Sequence, residues 1–135
     1  MKTPLLVTAG IIYDEDSIGL IKRGREPFKN CWGFPGGIGA FEHVSDPKEA
    51  VQYEIKADLN CEYLLEDFLM HSYSEFTSPT VTLFYYGKIK GDIKLDVDIA
   101  DFNFFSINKA LKMDLAFDHN TVLEEFVRVK YGRQK

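Results

Sequence analysis

Cysteine is scarce in this chain. Cys31 and Cys61 are the only two, and neither belongs to a CxxC pair or a Cys/His cluster. No disulfide framework or thiol metal cluster is therefore written into the sequence, and two reduced thiols are expected rather than a bridge. Long apolar runs are missing too, since no stretch approaches the roughly 20 residues of a membrane span. The N-terminal run MKTPLLVTAGIIY contains Thr8 and Gly10 and leads into Asp14-Glu15-Asp16 without a small-residue cleavage site. It reads as a first strand rather than a signal peptide, and a soluble cytoplasmic protein is expected. Positive charge is in deficit: Lys and Arg number 16 against 21 Asp and Glu, for a net charge of −5, and no basic run forms. That balance argues against a nucleic-acid partner and means that binding phosphates requires a cation or a focused basic spot.

Apolar residues are plentiful. At 45% hydrophobic, with 11 Phe and 7 Tyr in 135 residues, the chain can bury a sizeable core as one domain over residues 1–135. There is no repeat, low-complexity tract or linker to divide it. Leu5 to Tyr13 and Ile18 to Lys22 are β-rich runs joined by the acidic turn, which predicts a hairpin. Gly24 to Asn30 reads as a polar loop. Cys31 to Phe34 reads as a short strand stopped by Pro35-Gly36-Gly37, which is expected not to continue a ladder.

A helix then announces itself. Asp46 can cap it, Pro47 suits its first position, and Glu49 occupies the acidic position of a capping box. Val51, Ile55 and Leu59 recur every fourth residue as a buried stripe, and Asn60 is a left-handed terminator. Leu64 to Tyr73 and Thr80 to Ile89 follow as long strands linked by Ser74 to Pro79. Asp92 to Asp101 is an acidic, turn-like segment, and Phe102 to Ile107 a further strand. Asn108 to Met113 predicts a brief helix, and Asp118 to Tyr131 a longer one with Val122, Phe126 and Val129 facing inward. The order of elements predicts an α/β (α+β) fold, a mixed sheet with helices packed on it.

The segment from Gly37 to Cys61 resembles the Nudix hydrolase box, G-x5-E-x7-R-E-U-x-E-E-x-G-U with U a bulky aliphatic residue. Gly37 matches the opening glycine, Glu54 the Glu of the Arg-Glu pair and Ile55 the aliphatic position. Asp58 falls on the second Glu of the Glu-Glu pair, Asn60 on the late glycine and Cys61 on the last apolar position. The likeness covers nearly the whole chain. Ile21-Lys22-Arg23, Trp32-Gly33-Phe34-Pro35-Gly36-Gly37, Phe104-Phe105-Ser106 and Ala116-Phe117-Asp118-His119 are similar to the branch that hydrolyses ADP-ribose.

The box is degenerate. Tyr53 stands in place of its Arg and Ala57 in place of the first Glu of its pair. Counting back from the helix, the early Glu becomes Ser45, in a loop two residues longer than usual; counting forward from Gly37, it falls on His43, next to Glu42.

Pyrophosphate hydrolysis builds charge on phosphate oxygens, and a divalent ion, here expected to be Mg²⁺ or Mn²⁺, neutralises it and acidifies the attacking water. Glu54 and Asp58, at i and i+4, share one helix face offset from the apolar stripe. In this context they are read as catalytic and metal-holding residues rather than as a solvated acidic face. The resemblance implies the carbonyl of Gly36 or Gly37 as a further ligand, and a carboxylate near the metals at Asp101. Asp96 and Asp98 are equally acidic, and an ordinary solvated loop accounts for all three as well.

Lys22, Arg23 and Arg25 are candidates to hold phosphates. Phe28, Trp32, Phe34, Tyr73 and Phe76 are candidates to stack on a base, with Phe28 and Phe76 favoured by their place in loops. His119 reads as a brace for the last helix and Asp118 as its N-cap. The family implies a small-molecule nucleotide partner and frequent homodimers. Three functions stay open: a pyrophosphatase converting ADP-ribose to AMP and ribose 5-phosphate, a nucleotide-binding module without turnover, and a house-cleaning hydrolase of nucleoside triphosphates. The absence of a DNA-binding extension counts against one version of the second.

Overall fold

A computed structural model describes residues 3–132. Its seven strands are β1 (Leu5–Asp14), β2 (Ser17–Arg23), β3 (Trp32–Gly33), β4 (Gly36–Gly37), β5 (Glu62–Ser74), β6 (Thr80–Lys90) and β7 (Ile99–Ser106). Three α-helices accompany them: α1 (Pro47–Leu59), α2 (Ile107–Lys112) and α3 (His119–Tyr131). One 3-10 turn spans Gly39–Glu42.

The sheet is mixed. β1 pairs parallel with β6 and antiparallel with β2, and the order across the sheet is β3-β2-β1-β6-β5, with β7 on β2 and β4 on β1. Alternation along β1 sends Ile11 and Ile12 to opposite faces, and both are fully buried. On one face Ile12 meets Val51, Ile55 and Leu59 of α1, with Cys61, Tyr63 and Tyr85. On the other, Ile11 joins Ile107 and Ala110 of α2 and Val122, Leu123, Phe126 and Val127 of α3. The expected sheet between helices is what forms, and each buried aliphatic of α1 contributes roughly 1.5–3 kcal/mol.

The signals that define α1 act as the sequence indicates. The Asp46 carboxylate accepts the Lys48 N–H at 2.9 Å, Pro47 occupies the first turn, and Asn60 ends the helix at φ 62°. Asp118 occupies the N-cap position of α3, but its side chain makes no cap hydrogen bond. Both cysteines are free; Cys61 is buried, its Sγ donating to the Gly91 carbonyl at 3.7 Å. Among the described residues no helix is long and apolar enough to cross a membrane.

Three expectations are corrected. Gly36 and Gly37 do enter the sheet, pairing with Ala9 and Thr8 of β1. The ladder reaches them because the Pro35 carbonyl accepts the Gly10 N–H at 3.0 Å, and because Gly36 has no Cβ to strike the Thr8 carbonyl. Val129 is exposed, since Leu123 and Val127 join Val122 and Phe126 and shift the buried stripe of α3 away from it. β7 begins at Ile99 rather than Phe102, because pairing with β2 extends to Arg23 past an irregularity at Lys22/Arg23.

Candidate active site

The C-terminal end of β2, the loop after it, β4 and α1 enclose one cleft with two compartments. Arg23, Arg25, Gly36, Gly37 and Ile38 form their shared wall. The first compartment, about 370 Å³, is acidic, with Glu54, Asp58, Asp96 and Asp98 on its surface and Ala57 at its edge. The second, about 250 Å³, has a mixed lining that runs past Phe34, Phe76 and Phe117 to Thr77, Thr80 and Asp118.

Glu54 is held by backbone. Its Oε1 accepts the Ala40 N–H at 3.0 Å, a donor supplied by the 3-10 turn within the lengthened loop. Its carboxylate also lies against Gly37, where an added Cβ would stand 2.9 Å from Oε2. Burial raises the Glu54 pKa against the lowering effects of the Ala40 N–H and Arg25.

Asp58, one helical turn further, is pushed up to about 7, first by burial and then by the negative charges of Glu54, Asp96 and Asp98. The acidic loop stays close because backbone pins it there. The Lys94 N–H donates to the Leu59 carbonyl at 2.9 Å, the Asp96 N–H to the Asp58 carbonyl at 3.0 Å, and the Gly24 N–H to the Asp98 carbonyl at 3.0 Å.

Arg23 stands between the compartments. Its Nε donates to the Pro27 carbonyl at 2.7 Å and its guanidinium lies 5.0 Å from the centre of the Phe117 ring. Burial and the neighbouring Arg25 lower its pKa, so a bound anion would be favourable there. Arg25 reaches Asp98 at 3.4 Å in an exposed pair worth little by itself.

Most of the expected site residues are thus brought together: Gly37, Glu54, Asp58, Arg23, Arg25 and Phe76 all line the cleft. Phe28 stands behind them, its ring 5.4 Å from Phe76 and 4.6 Å from Phe117. Asp101 is not brought in. It sits on β7 opposite Lys22, exposed, and its Oδ1 accepts the adjacent Phe102 N–H at 2.8 Å. Asp96 and Asp98 line the acidic compartment instead, while β7 starts early and keeps Asp101 in the ladder.

Tyr53, in place of the family's arginine, is exposed and stacks on His43 at 4.7 Å rather than bracing Glu54. His119 is structural: its Nδ1 accepts the Phe34 N–H at 3.1 Å and its ring stacks on Phe34. Burial, and secondarily Arg23, lower its pKa to about 3, so it is neutral. Sequence reading missed Phe117 as a wall and the Ala40 N–H as a tether. The first carried a weak signal, a Phe beside the Asp that precedes a helix.

Among the described residues no three His, Cys, Asp or Glu side chains are grouped tightly enough to ligate one ion by themselves. The donors nonetheless suit a hard cation of the magnesium type, which takes one or two carboxylates and completes its shell with water and substrate oxygens. The crowding of negative charge that raises Asp58 is what such an ion would relieve.

A mixed sheet between helices, with helical carboxylates facing a glycine turn, is the α+β architecture that the box resemblance implied. No family model matches the chain. It is 32% identical over 133 residues to an ADP-ribose pyrophosphatase of Methanocaldococcus jannaschii, covering 96% of this chain and 76% of that protein. The chain belongs to the Nudix hydrolase family. Its fold is similar to the Nudix domain of NrtR from Shewanella oneidensis, solved with ADP-ribose (TM-score 0.82, 21% identity, 96% of this chain and 90% of that one). It is also similar to a MutT Nudix hydrolase from Burkholderia pseudomallei (TM-score 0.79, 22% identity, 92% and 98%).

Proposed function

We propose that this protein is a divalent-metal-dependent pyrophosphatase that cleaves a nucleoside diphosphate derivative, with ADP-ribose as substrate and AMP and ribose 5-phosphate as products. One observation carries the reading: a single cleft joins a carboxylate compartment around Glu54 and Asp58 to an aromatic compartment through a wall bearing Arg23 and Arg25. A diphosphate between two nucleoside-sized groups has that distribution of charge and surface. The similarity to the Methanocaldococcus jannaschii ADP-ribose pyrophosphatase supports the choice of substrate.

In this reading Arg23 and Arg25 bind the diphosphate oxygens, and Arg23 is oriented before substrate arrives by Pro27 and Phe117. Glu54 and Asp58, with the backbone of Gly37, hold Mg²⁺ or Mn²⁺. Bound there, the ion supplies charge neutralisation on the phosphates and a more acidic water. Asp96 and Asp98 place further carboxylates at the rim on the side of Ala57, where the box has lost one. Water adds to one phosphorus, its proton is taken up at the carboxylate cluster, and the P–O bond to the other phosphate breaks.

The missing carboxylate at Ala57 and the outward-turned Tyr53 favour a second reading, a module that binds the nucleotide without turnover. Product analysis separates the two. ADP-ribose incubated with Mg²⁺ or Mn²⁺ yields AMP and ribose 5-phosphate if the first holds, and Glu54→Gln abolishes the yield. ADP-ribose bound but intact rejects the hydrolase reading.

A further inference from the structure

Two of the chain's departures from the box meet each other in space. Tyr53 stands at the arginine position, and His43 at the early Glu position in the forward count from Gly37. Their rings stack with centres 4.7 Å apart and planes 19° from parallel. Both residues are exposed. Among the described residues no side-chain hydrogen bond or ion pair holds either one, so the stack is their tie. It joins the end of the 3-10 turn, in the lengthened loop, to the middle of α1.

The same two segments are joined a second time. Ala40 is fully buried, and its N–H is the donor to Glu54 Oε1. Its carbonyl accepts the His43 N–H at 2.9 Å and the Val44 N–H at 3.0 Å. A closed circuit results. Ala40 reaches Glu54 by a hydrogen bond, Glu54 adjoins Tyr53 along the helix, Tyr53 stacks on His43, and His43 returns to Ala40 through backbone. Successive residues of a helix point about 100° apart, so the turn grips α1 on two neighbouring sides. Such a grip opposes both lifting and rolling of the turn. With the stack removed, it reduces to Ala40.

We propose that His43 and Tyr53 are positioning residues whose stack clasps the 3-10 turn onto α1 and, through the Ala40 N–H, fixes the Glu54 carboxylate for the metal ion. The inference rests on the metal-holding reading of Glu54 and deepens it. Tyr53 does not brace the carboxylate directly; it holds the loop that does. A ring pair suits this task on an exposed surface, because it draws on apolar contact as well as on charge distribution and is screened little by salt.

The first measurement is hydrogen exchange of the Ala40 amide by NMR, in EDTA, so that neither metal nor turnover is involved. Tyr53→Ala and His43→Ala are expected to speed that exchange by about 3–10-fold, the loss of one aromatic pair, with melting within a few degrees of wild type. Tyr53→Phe keeps the ring face and restores the wild-type rate. The double alanine variant exchanges no faster than either single one, because the two rings act as a unit. The second measurement is a Mn²⁺ titration, in which both alanine variants bind about 3–10-fold more weakly and Tyr53→Phe binds as wild type does. For ADP-ribose at limiting Mn²⁺, kcat falls in the alanine variants while KM stays within about 2-fold.

An Ala40 exchange rate unchanged in both alanine variants overturns the proposal, as does faster exchange with unaltered Mn²⁺ affinity. Additive effects in the double variant overturn it too, since the rings would then act separately. A wild type that takes up no Mn²⁺ rejects the metal reading and this proposal with it. A wild type that binds Mn²⁺ but leaves ADP-ribose intact rejects only the hydrolase reading, and the clasp is then decided by the exchange and Mn²⁺ measurements.

Discussion

Glu54 Oε1 accepts the Ala40 N–H at 3.0 Å, and Oε2 of the same carboxylate rests against Gly37. Two backbone elements, the glycine strand and the extra turn of the loop, thus set the position of one acidic group on α1. The longer loop supplies the residue that holds it.

That contact separates two adjacent glycines. In Gly37→Ala the atoms nearest the new methyl belong to the movable end of the Glu54 side chain, 2.9 Å away. The fold is kept, with melting within a few degrees of wild type, while kcat falls by about 10-fold or more as the carboxylate is displaced. In Gly36→Ala the methyl meets the Thr8 carbonyl and Ala9 on the central strand, and backbone cannot yield cheaply. Gly36→Ala is expected to lose stability by about 2–4 kcal/mol, read as a lowered denaturation midpoint. Equal behaviour of the two variants in melting and kinetics would contradict this division.

Ala57 is exposed at the edge of the acidic compartment, one residue before Asp58. Ala57→Glu returns the carboxylate of the box without filling buried space. Turnover of ADP-ribose at limiting Mg²⁺ is expected to rise by about 3–10-fold, with tighter ion binding as the cause. An unchanged rate alongside intact nucleotide binding would favour the binding module.

Arg23 bonds through Nε and places its guanidinium over the Phe117 ring at 5.0 Å, and lysine has neither an Nε–H donor nor a planar head. Arg23→Lys keeps the charge but is expected to raise KM for ADP-ribose by about 10-fold, with a smaller effect on melting. A KM equal to that of wild type would show that charge alone suffices.

His119 gives stability a pH dependence. Its folded pKa, about 3, lies below the ordinary histidine value of 6.5, so between those values the unfolded chain binds a proton that the folded chain does not. The contribution is intact above about pH 6.5 and is lost as pH falls towards 3, at up to roughly 1.4 kcal/mol per pH unit. Denaturant titrations from pH 7 to 4 measure the slope. His119→Gln, an uncharged residue able to accept the Phe34 N–H, should flatten it, and an unchanged slope would assign it to other groups.

Local and periodic features are legible in the sequence. Asp46, Pro47 and Asn60 bound α1 because capping and chain termination depend on neighbours a few residues away. Val51, Ile55 and Leu59 mark its buried face because burial follows helical period. The same period places Glu54 and Asp58 together, which makes the core of the site readable. What depends on strand register cannot be read this way. Whether Asp101 or Asp96 and Asp98 face the cleft is settled by where β7 begins pairing with β2. Gly36 and Gly37 look like a stop, yet join the sheet because a neighbouring strand comes close enough to bond them. Short-range chemistry along the chain was thus enough to define most elements, the buried stripe of α1 and the helical carboxylates. The loop that completes the site, and the wall shared by Phe28, Phe76 and Phe117, were chosen in three dimensions, because contacts between segments far apart in sequence make those choices.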